Sequence, residues 1–380
     1  MKDEVTIANK ERAMKGKAAV LVGVGGPFEI REYPLPEVEP EAILIKIMMT
    51  SICGSDIHTY KGEVSAFIAS KERPILYGHE AVGRVYRLGR NVKTDFVGNP
   101  LHEGDRVTFC YFYPCGHCWN CLNGLALCPN RHRFRGSPEE FPHFTATYAE
   151  YYYLRPGQWV YKVPEELADE AVAPVNCALS AVTYALSQVG IGFGNSIVVQ
   201  GAGGVGLSAM AVAKDMGASQ VIAVEKIAER LKVAKNFGAD HLIGPQEYPT
   251  AEERIAKVKD LTKGRGADLV IELMGVPEGI SEGIKMLTPG GTYLLVGMIS
   301  GKIAFKGDLD ATEFTYQGKK LWGSALYKSW VIPKVLDFLV RTKNKYPFDK
   351  LISDKFKLEE IEKAMKLGAE GKAIRAGVVP

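Results

Sequence analysis

Residues 196–225 read SIVVQGAGGVGLSAMAVAKDMGASQVIAVE, and this stretch decides the fold of half the chain. A short β-branched run at 197–199 precedes the segment GAGGVG, which an Ala-rich helical pattern and a second apolar run follow. This order of strand, glycine turn, helix and strand is a βαβ unit. Such units build parallel sheets with helices on both faces, so we expect a doubly wound α/β domain here.

The glycine turn has the spacing of a dinucleotide-binding loop. It consists of Gly201, Ala202, Gly203, Gly204, Val205 and Gly206. Without Cβ atoms the backbone can turn tightly, and a pyrophosphate can approach the amides at the helix start, where the helix dipole favours negative charge. Glu225 ends the second strand, where it can accept hydrogen bonds from an adenine ribose and would repel a 2′-phosphate. We therefore predict NAD rather than NADP, although Lys226 follows the acid.

Composition and charge exclude several classes of function. A net charge of +3 over 380 residues provides no basic field for binding nucleic acid or an anionic membrane. No apolar run is long enough to span a membrane, and the charged N-terminal arm 1–16 does not read as a signal peptide. That arm is either a short charged helix or a disordered tail. We expect a cytoplasmic protein with neither nucleic acid nor membrane as partner.

The secondary-structure pattern changes near residue 176. Before this point the chain consists mostly of short strand patterns and Gly or Pro turns, which indicates a β-rich, barrel-like domain. From 178 to about 320, strands alternate with helices. We assign 1–177 to a β-rich catalytic domain and 178–320 to a dinucleotide-binding domain. The tail 321–380, read as a strand, two helices and a last strand, is predicted to complete the first domain.

Five of the seven cysteines lie within a lobe at 110–130. Four of them follow the pattern Cys115-x2-Cys118-x2-Cys121-x6-Cys128. Thiolates at this spacing on a glycine-containing loop can close a tetrahedron around a structural Zn2+. An iron–sulfur cluster or free thiols are the alternatives, and the surrounding fold pattern favours zinc. Cys110 is left over and is predicted to pack as a small apolar residue.

A second possible metal site is dispersed along the chain. Its members are Cys53, His79 and Cys177. Two thiolates and an imidazole make a three-ligand zinc site whose fourth position is open to water or substrate. Such a metal lowers the pKa of an alcohol, so that an alkoxide can release hydride to a nicotinamide. Taken singly, Cys177 is usually a core residue and the pair His79 and Glu80 an ordinary surface pair; only their occurrence beside a dinucleotide fold favours the metal.

Residues next to these ligands have suitable chemistry for proton transfer. Ser55 and His58 follow Cys53 closely and can carry the displaced proton outward by way of the cofactor ribose. Asp56 can orient His79 from outside the set of metal ligands.

Together these motifs resemble those of the zinc-containing medium-chain alcohol dehydrogenases over nearly the whole chain beyond residue 16. The most specific piece is GHEAVGRVYRLGRNV at 78–92, which satisfies the zinc signature of that family; CGSDIH at 53–58, GDRV at 104–107, the cysteine lobe and GAGGVG support it. The resemblance implies a GroES-like catalytic domain, a Rossmann domain, and two zinc ions per chain. It also implies a homodimer or homotetramer that oxidises an alcohol with NAD, and we expect a secondary or polyol-like alcohol.

The resemblance also implies residue roles at the metal sites. Cys53, His79 and Cys177 would hold the catalytic zinc, with Glu80 as an alternating fourth ligand, and the four lobe cysteines would hold the structural zinc. Ser55 and His58 would form the proton relay. In the lobe, the gap between Cys121 and Cys128 is one residue shorter than is usual in the family.

For the cofactor, three further residues match positions of the family. Arg375 matches an arginine that contacts the pyrophosphate, and Arg230 matches a basic residue near the adenosine ribose. Val296, with Gly297, falls where backbone groups line the nicotinamide.

Other functions remain compatible with these motifs. Because hydride transfer is reversible, the same residues fit an aldehyde or ketone reductase. A zinc- and cofactor-binding protein without turnover is a second alternative, which a zinc count per chain would separate from the enzyme. The basic patch RHRFR at 131–135 permits a zinc-ribbon nucleic-acid binder, but the net charge of the chain argues against it.

Overall fold

The computed structural model describes residues 14–63, 74–131, 136–276, 278–296 and 310–380. The described chain divides into two compact units. One comprises the residues up to Cys177 together with Ile332–Arg341 and Phe348–Pro380, and the other comprises Ala178–Val331 and Thr342–Pro347. Most of the N-terminal arm, four residues of the basic patch at 131–135, and Gly297 lie outside the described residues.

The strands follow the apolar patterns of the sequence. In the third strand, ILIKIMMTS, Lys46 and Met48 are exposed while the residues between and around them are buried. The strands are β1 Lys15–Leu21, β2 Phe28–Pro34, β3 Ile43–Ser51, β4 Ile75–Leu76, β5 Glu80–Leu88, β6 Arg106–Phe109, β7 Tyr151–Leu154, β8 Val160–Lys162, β9 Ser196–Gln200, β10 Gln220–Val224, β11 His241–Ile243, β12 Ala267–Glu272, β13 Leu287–Val296, β14 Lys320–Ser324, β15 Asp354–Lys357 and β16 Ala376–Val379.

The helices begin at recognisable caps in several cases. Thr250 and Glu253 form a reciprocal capping box at the start of one of them, and Asp310 accepts two backbone N–H bonds at the start of another. The α-helices are α1 Gly54–Tyr60, α2 Trp119–Leu122, α3 Asp169–Val172, α4 Ser180–Val189, α5 Gly204–Asp215, α6 Ala228–Ala234, α7 Ala251–Leu261, α8 Glu278–Lys285, α9 Ala311–Tyr316, α10 Val331–Thr342 and α11 Ile361–Ala369. Short 3-10 turns lie at Lys235–Phe237, Phe348–Lys350 and Leu358–Glu360.

The first unit is built on a largely antiparallel sheet. Its seven strands include the path β15-β16-β3-β5-β6-β8, and β7 pairs with β3; a smaller sheet has the order β2-β1-β4. The central strand β3 pairs with β5, β7 and β16. Because β16 lies beside β3, the C-terminal strand of the chain belongs to this unit.

The second unit contains a parallel sheet, as residues 196–225 predict. Its strand order is β11-β10-β9-β12-β13-β14, with every neighbouring pair parallel. This is the strand order of dinucleotide-binding domains, in which ligands bind at the carboxyl ends of the strands where the order reverses. Strand β9 is buried along its whole length because it lies in the middle of the sheet.

The structure differs from the predicted division of the chain at 321–331. Strand β14 pairs in parallel with β13, with Trp322 opposite Leu294, and therefore extends the second sheet rather than completing the first unit. Strand β14 follows α9 along the chain and adds to the edge of the sheet beside β13. Residues 342–347 also group with the second unit, whereas 332–341 and 348–380 group with the first.

One helical stretch, Asp169–Val189, is long and apolar enough to be considered as a membrane span, and 67% of its apolar window is buried inside the protein. It is composed of α3, α4 and, between them, a π-helical turn at Val175–Leu179. Burial of this kind is also usual for the core helix of a globular protein.

Candidate metal centre and dinucleotide site

Four possible metal ligands from three separate segments converge in the first unit. Cys53 lies two residues after β3, His79 and Glu80 lie at the start of β5, and Cys177 lies in the π-helical turn. One ligand atom from each of the four lies within 4.8 Å of those of the others. The Sγ atoms of Cys53 and Cys177 are 3.9 Å apart, and Nε2 of His79 is 3.2 Å from Sγ of Cys177.

The fold explains this convergence. Strands β3 and β5 are antiparallel, with Ser51 opposite Glu80, so the residues after one strand lie beside the residues before the other. Asn176 fixes the third segment, because its Nδ2 donates a 2.9 Å hydrogen bond to the carbonyl oxygen of His79. The extra residue in a π turn sets the direction of the Cys177 side chain.

The imidazole of His79 is oriented by a buried carboxylate. Its Nδ1 lies 3.2 Å from Oδ1 of Asp56, and both side chains are essentially inaccessible to solvent. Nε2 is therefore the nitrogen that faces the thiols. Burial lowers the pKa of His79, but the charge and hydrogen bond of Asp56 outweigh it and raise the pKa to about 10. A metal at Nε2 must displace this proton.

The two thiols shift each other's pKa in opposite directions. A hydrogen bond from Cys177 lowers the pKa of Cys53 well below its usual value despite burial, and His79 and Arg375 lower it further. The pKa of Cys177 rises correspondingly. Two sulfurs, one imidazole nitrogen and one carboxylate form a donor set that suits zinc.

Glu80 joins this site to Arg375. The carboxylate of Glu80 is fully buried and accepts hydrogen bonds from the Ser51 hydroxyl and the Arg375 guanidinium. Burial raises the pKa of Glu80 to about 7, against the opposing charge of Arg375. Arg375 is 5% exposed, and its role toward the pyrophosphate stays a prediction.

The predicted relay residues lie on the short helix α1. Ser55 and His58 are both partly buried, and Nδ1 of His58 lies 2.6 Å from Oε2 of Glu63. Sequence analysis did not identify Glu63, because an acid in a glycine-containing turn after a helix has no distinctive pattern. The carboxylate, 41% exposed, connects the histidine with solvent.

A tyrosine also lies against the metal ligands. The ring centroid of Tyr111 is 4.6 Å from that of His79, and its hydroxyl is 3.8 Å from Sγ of Cys177. Burial raises the pKa of this phenol well above its usual value. Tyr111 thus remains a neutral wall of the site.

The four cysteines of the lobe form a second cluster. Their Sγ atoms are separated by 3.4 Å (Cys118 and Cys121), 3.6 Å (Cys115 and Cys128), 3.7 Å (Cys118 and Cys128) and 4.0 Å (Cys115 and Cys121). Zn–S bonds of about 2.3 Å give sulfur separations of about 3.8 Å in a regular tetrahedron. The short gap before Cys128 therefore leaves its sulfur in place. Cys110 is separate: it is buried, and its thiol donates to the Phe112 carbonyl oxygen.

In the second unit, the glycine turn joins β9 to α5. Gly203 is the N-cap of α5, and Gly204, Val205 and Gly206 form its first turn. A Cβ on Gly206 would overlap the carbonyl oxygen of Gly201, which itself has φ of +103°. The helix N-terminus is therefore packed tightly against the strand end and presents free backbone N–H groups to an anion.

Three other predicted cofactor residues lie in the same unit. The Glu225 carboxylate accepts hydrogen bonds from the backbone N–H groups of Ala202 (2.7 Å) and Ile227 (2.8 Å). Nη1 of Arg230 lies 3.9 Å from the position that a Cβ on Gly203 would occupy. Val296 ends β13, at the carboxyl edge of the sheet. Glu225 and Arg230 thus both adjoin the glycine turn.

Comparison with known proteins identifies the family. Residues 39–165 match the alcohol dehydrogenase GroES-like domain, and 204–341 match the zinc-binding dehydrogenase domain. The chain is 31% identical to 5-exo-hydroxycamphor dehydrogenase of Pseudomonas putida, over 94% of this chain and 97% of that one. The chain belongs to the zinc-containing medium-chain alcohol dehydrogenase family. The present chain is also 32% identical to D-xylulose reductase A of Aspergillus oryzae, over 91% of this chain and 92% of that one.

A solved structure supports the same family. An alcohol dehydrogenase from Thermotoga maritima superposes with a TM-score of 0.85 at 28% identity, covering 97% of this chain and all of that one. The resemblance read from the motifs is thereby confirmed, as are the GroES-like and Rossmann fold class and the assignment as an alcohol-oxidising oxidoreductase. Zinc and a nicotinamide cofactor are those of the family.

Proposed function

We propose that this dehydrogenase oxidises a secondary or polyol-like alcohol with NAD at a zinc held by Cys53, His79 and Cys177. The observation that carries the proposal is the convergence of these ligands, from segments far apart in sequence, within 4.8 Å of one another. A second zinc, held by the four lobe cysteines, supports the local structure.

Zinc held by these residues would supply a Lewis acid that lowers the pKa of an alcohol oxygen. Asp56 holds the His79 ring with Nε2 toward the thiols, and Glu80 stands beside them as an alternating ligand. Ser55 and His58 take up the proton that the alcohol loses. From His58 Nδ1 the proton passes to Glu63, whose exposed carboxylate delivers it to water.

The cofactor preference rests on Glu225. Two backbone N–H groups fix its buried carboxylate beside the glycine turn, where its charge opposes a 2′-phosphate and its remaining lone pairs suit ribose hydroxyls. We assign the pyrophosphate to the N-terminus of α5 and to Arg375, the adenosine ribose to Arg230, and the nicotinamide to the backbone at Val296.

The substrate class is supported by kinship. One relative is named for a hydroxyl on camphor and another for the ketose D-xylulose. Because hydride transfer is reversible, ketone or aldehyde reduction is the same proposal in the opposite direction. A panel of alcohols and polyols, followed by NADH absorbance, would identify the substrate.

Replacement of one ligand tests the mechanism. We expect Cys53→Ser to abolish turnover and to lower the zinc content from two ions to one per chain, while NAD binding survives. Cys110→Ser, which changes a buried thiol outside both clusters, is the matched control and should retain both ions. Undiminished turnover in a Cys53→Ser protein shown to lack that zinc would refute the proposed role.

We further propose a cytoplasmic homodimer or homotetramer. Support for assembly comes from β14, which ends the described sheet and exposes Leu321 (42%) and Trp322 (47%). Apolar side chains on a sheet edge favour association with another subunit.

A further inference from the structure

A buried tyrosine hydroxyl reaches the carboxylate that orients His79. The hydroxyl of Tyr148 donates a 2.9 Å hydrogen bond to Oδ2 of Asp56, and the backbone N–H of Cys53 donates to the same oxygen at 3.1 Å. The other oxygen, Oδ1, lies 3.2 Å from Nδ1 of His79. A single carboxylate thus connects Tyr148 with two of the proposed zinc ligands.

The ring of Tyr148 is held so that its hydroxyl has one direction. It packs against Tyr77 and Phe28, with ring centroids 5.9 and 6.4 Å away, and is 1% exposed. A Cβ on Gly78 would lie 2.7 Å from this ring, and Gly78 has φ of +89°, so the glycine before His79 makes room for the tyrosine. The same turn therefore places both the ligand and the ring.

Tyr148 acts as the donor in this bond. Burial and the nearby charge of Asp56 raise the pKa of the phenol well above its usual value, so the hydroxyl keeps its proton. An aspartate carboxylate can rotate about its Cβ–Cγ bond. Two donors on Oδ2 oppose that rotation and keep Oδ1 toward the histidine.

We propose that Tyr148 is a positioning residue for the catalytic zinc: its hydroxyl fixes the Asp56 carboxylate, which in turn fixes the His79 ligand. The inference rests on the zinc site proposed above. Residues that orient a metal ligand typically change metal affinity by about 10- to 100-fold when removed. Tyr148 stands one step further from the metal, so its hydroxyl should matter less than Asp56 itself.

The test compares Tyr148→Phe with Tyr77→Phe. Tyr77 is a matched control because it is also 1% exposed and its hydroxyl also bonds Asp56, but at the main-chain oxygen, 2.8 Å away. Zinc release from the purified holoenzyme to a chromophoric chelator is recorded, and the phase missing in Cys53→Ser identifies the catalytic site. We expect Tyr148→Phe to accelerate that phase by about three- to tenfold, below the range for a group in direct contact with the ligand, and Tyr77→Phe to leave it unchanged.

A double variant tests the route of the effect. If Tyr148 acts through Asp56, the acceleration by Tyr148→Phe should disappear in an Asp56→Asn background. An unchanged or slower release in Tyr148→Phe, an equal acceleration in Tyr77→Phe, or an effect that persists in Asp56→Asn would each overturn the inference. If no release phase is lost in Cys53→Ser, the proposed zinc site itself fails.

Discussion

At the scale of single residues, the chemical types at the site could be read from the sequence and their contacts could not. Cys53, His79 and Cys177 have side chains suited to zinc, and the glycine–histidine signature marked one of them. The hydrogen bond from Tyr148 to Asp56 spans 92 positions and depends on how two strands pair. A tyrosine in a run of tyrosines has no pattern that would reveal this role.

The residue that we propose sets the choice of cofactor is Glu225. We expect Glu225→Gln to lower the ratio of kcat/KM for NAD to that for NADP by about tenfold or more, because charges about 4 Å apart interact by about 1 to 4 kcal/mol near a protein surface. The amide keeps one oxygen to accept from the turn and loses the negative charge.

Glu229→Gln is the control for this prediction, since Glu229 is exposed on α6 nearby. Steady-state kinetics with both cofactors would decide. An identical ratio of the two kcat/KM values in Glu225→Gln and in the parent enzyme would contradict the proposed position of the acid beside the ribose.

At the scale of elements, patterns with clear apolar periodicity predicted the observed elements, and segments without it did not. The apolar alternation at 106–109 predicts a short strand, which has those bounds in the structure, and the apolar periodicity at 330–342 predicts a helix, which is observed at Val331–Thr342. Helix α1 was not predicted, because CGSDIHTY contains one aliphatic residue and shows no helical periodicity. The helical pattern at 178–188 is observed as α4, and the π turn at Val175–Leu179 before it was not predicted, since one extra residue barely alters an apolar pattern.

The carboxyl end of β12 carries a buried acid whose ionisation should affect stability. Burial raises the pKa of Glu272, whose Oε1 accepts from the N–H groups of Met274 and Gly275. A carboxyl with a raised native pKa stabilises the fold fully below its unfolded pKa, and this contribution is lost as pH rises through the native value. Glu272→Gln keeps the acceptor and cannot ionise.

We therefore expect Glu272→Gln to gain stability relative to the parent chain as pH rises from about 4, near the ordinary pKa of a glutamate, toward neutral pH. Urea denaturation across this range measures the difference. Glu252→Gln, a change of an exposed acid on α7, should show no such trend. A constant difference between parent and Glu272→Gln at every pH would contradict the raised pKa.

At the scale of the whole molecule, the alternation of strands and helices predicted two kinds of domain. The sequence could not show where the second sheet ends, because the pattern of β14 fits either unit equally well. Only its parallel pairing with β13 places it. The division between units also falls inside α10, whose first and last residues group with the second unit. A boundary inside a helix has no turn or linker residues that would mark it in the sequence.

We expect subunits to contact one another at the edge of the second sheet. Strand β14 is exposed along most of its length, which is unusual for a strand with apolar side chains. We expect the parent enzyme to be a dimer or tetramer by light scattering and Trp322→Lys to shift the mass downward while retaining zinc. Phe193→Lys, at a fully exposed aromatic in the same unit, should leave the mass unchanged. An unaltered mass in Trp322→Lys would exclude this edge as the contact.

The π turn that carries Cys177 makes the metal centre sensitive to chain length. Each residue of a helix turns the chain by about 100°. Loss or gain of a single codon within Val175–Leu179 would therefore swing the sulfur away from His79 and Cys53. When the codon lost or gained is not that of Cys177, such an allele would still encode every proposed ligand, so a coding sequence can keep all the zinc motifs and specify a protein that does not bind the proposed catalytic metal.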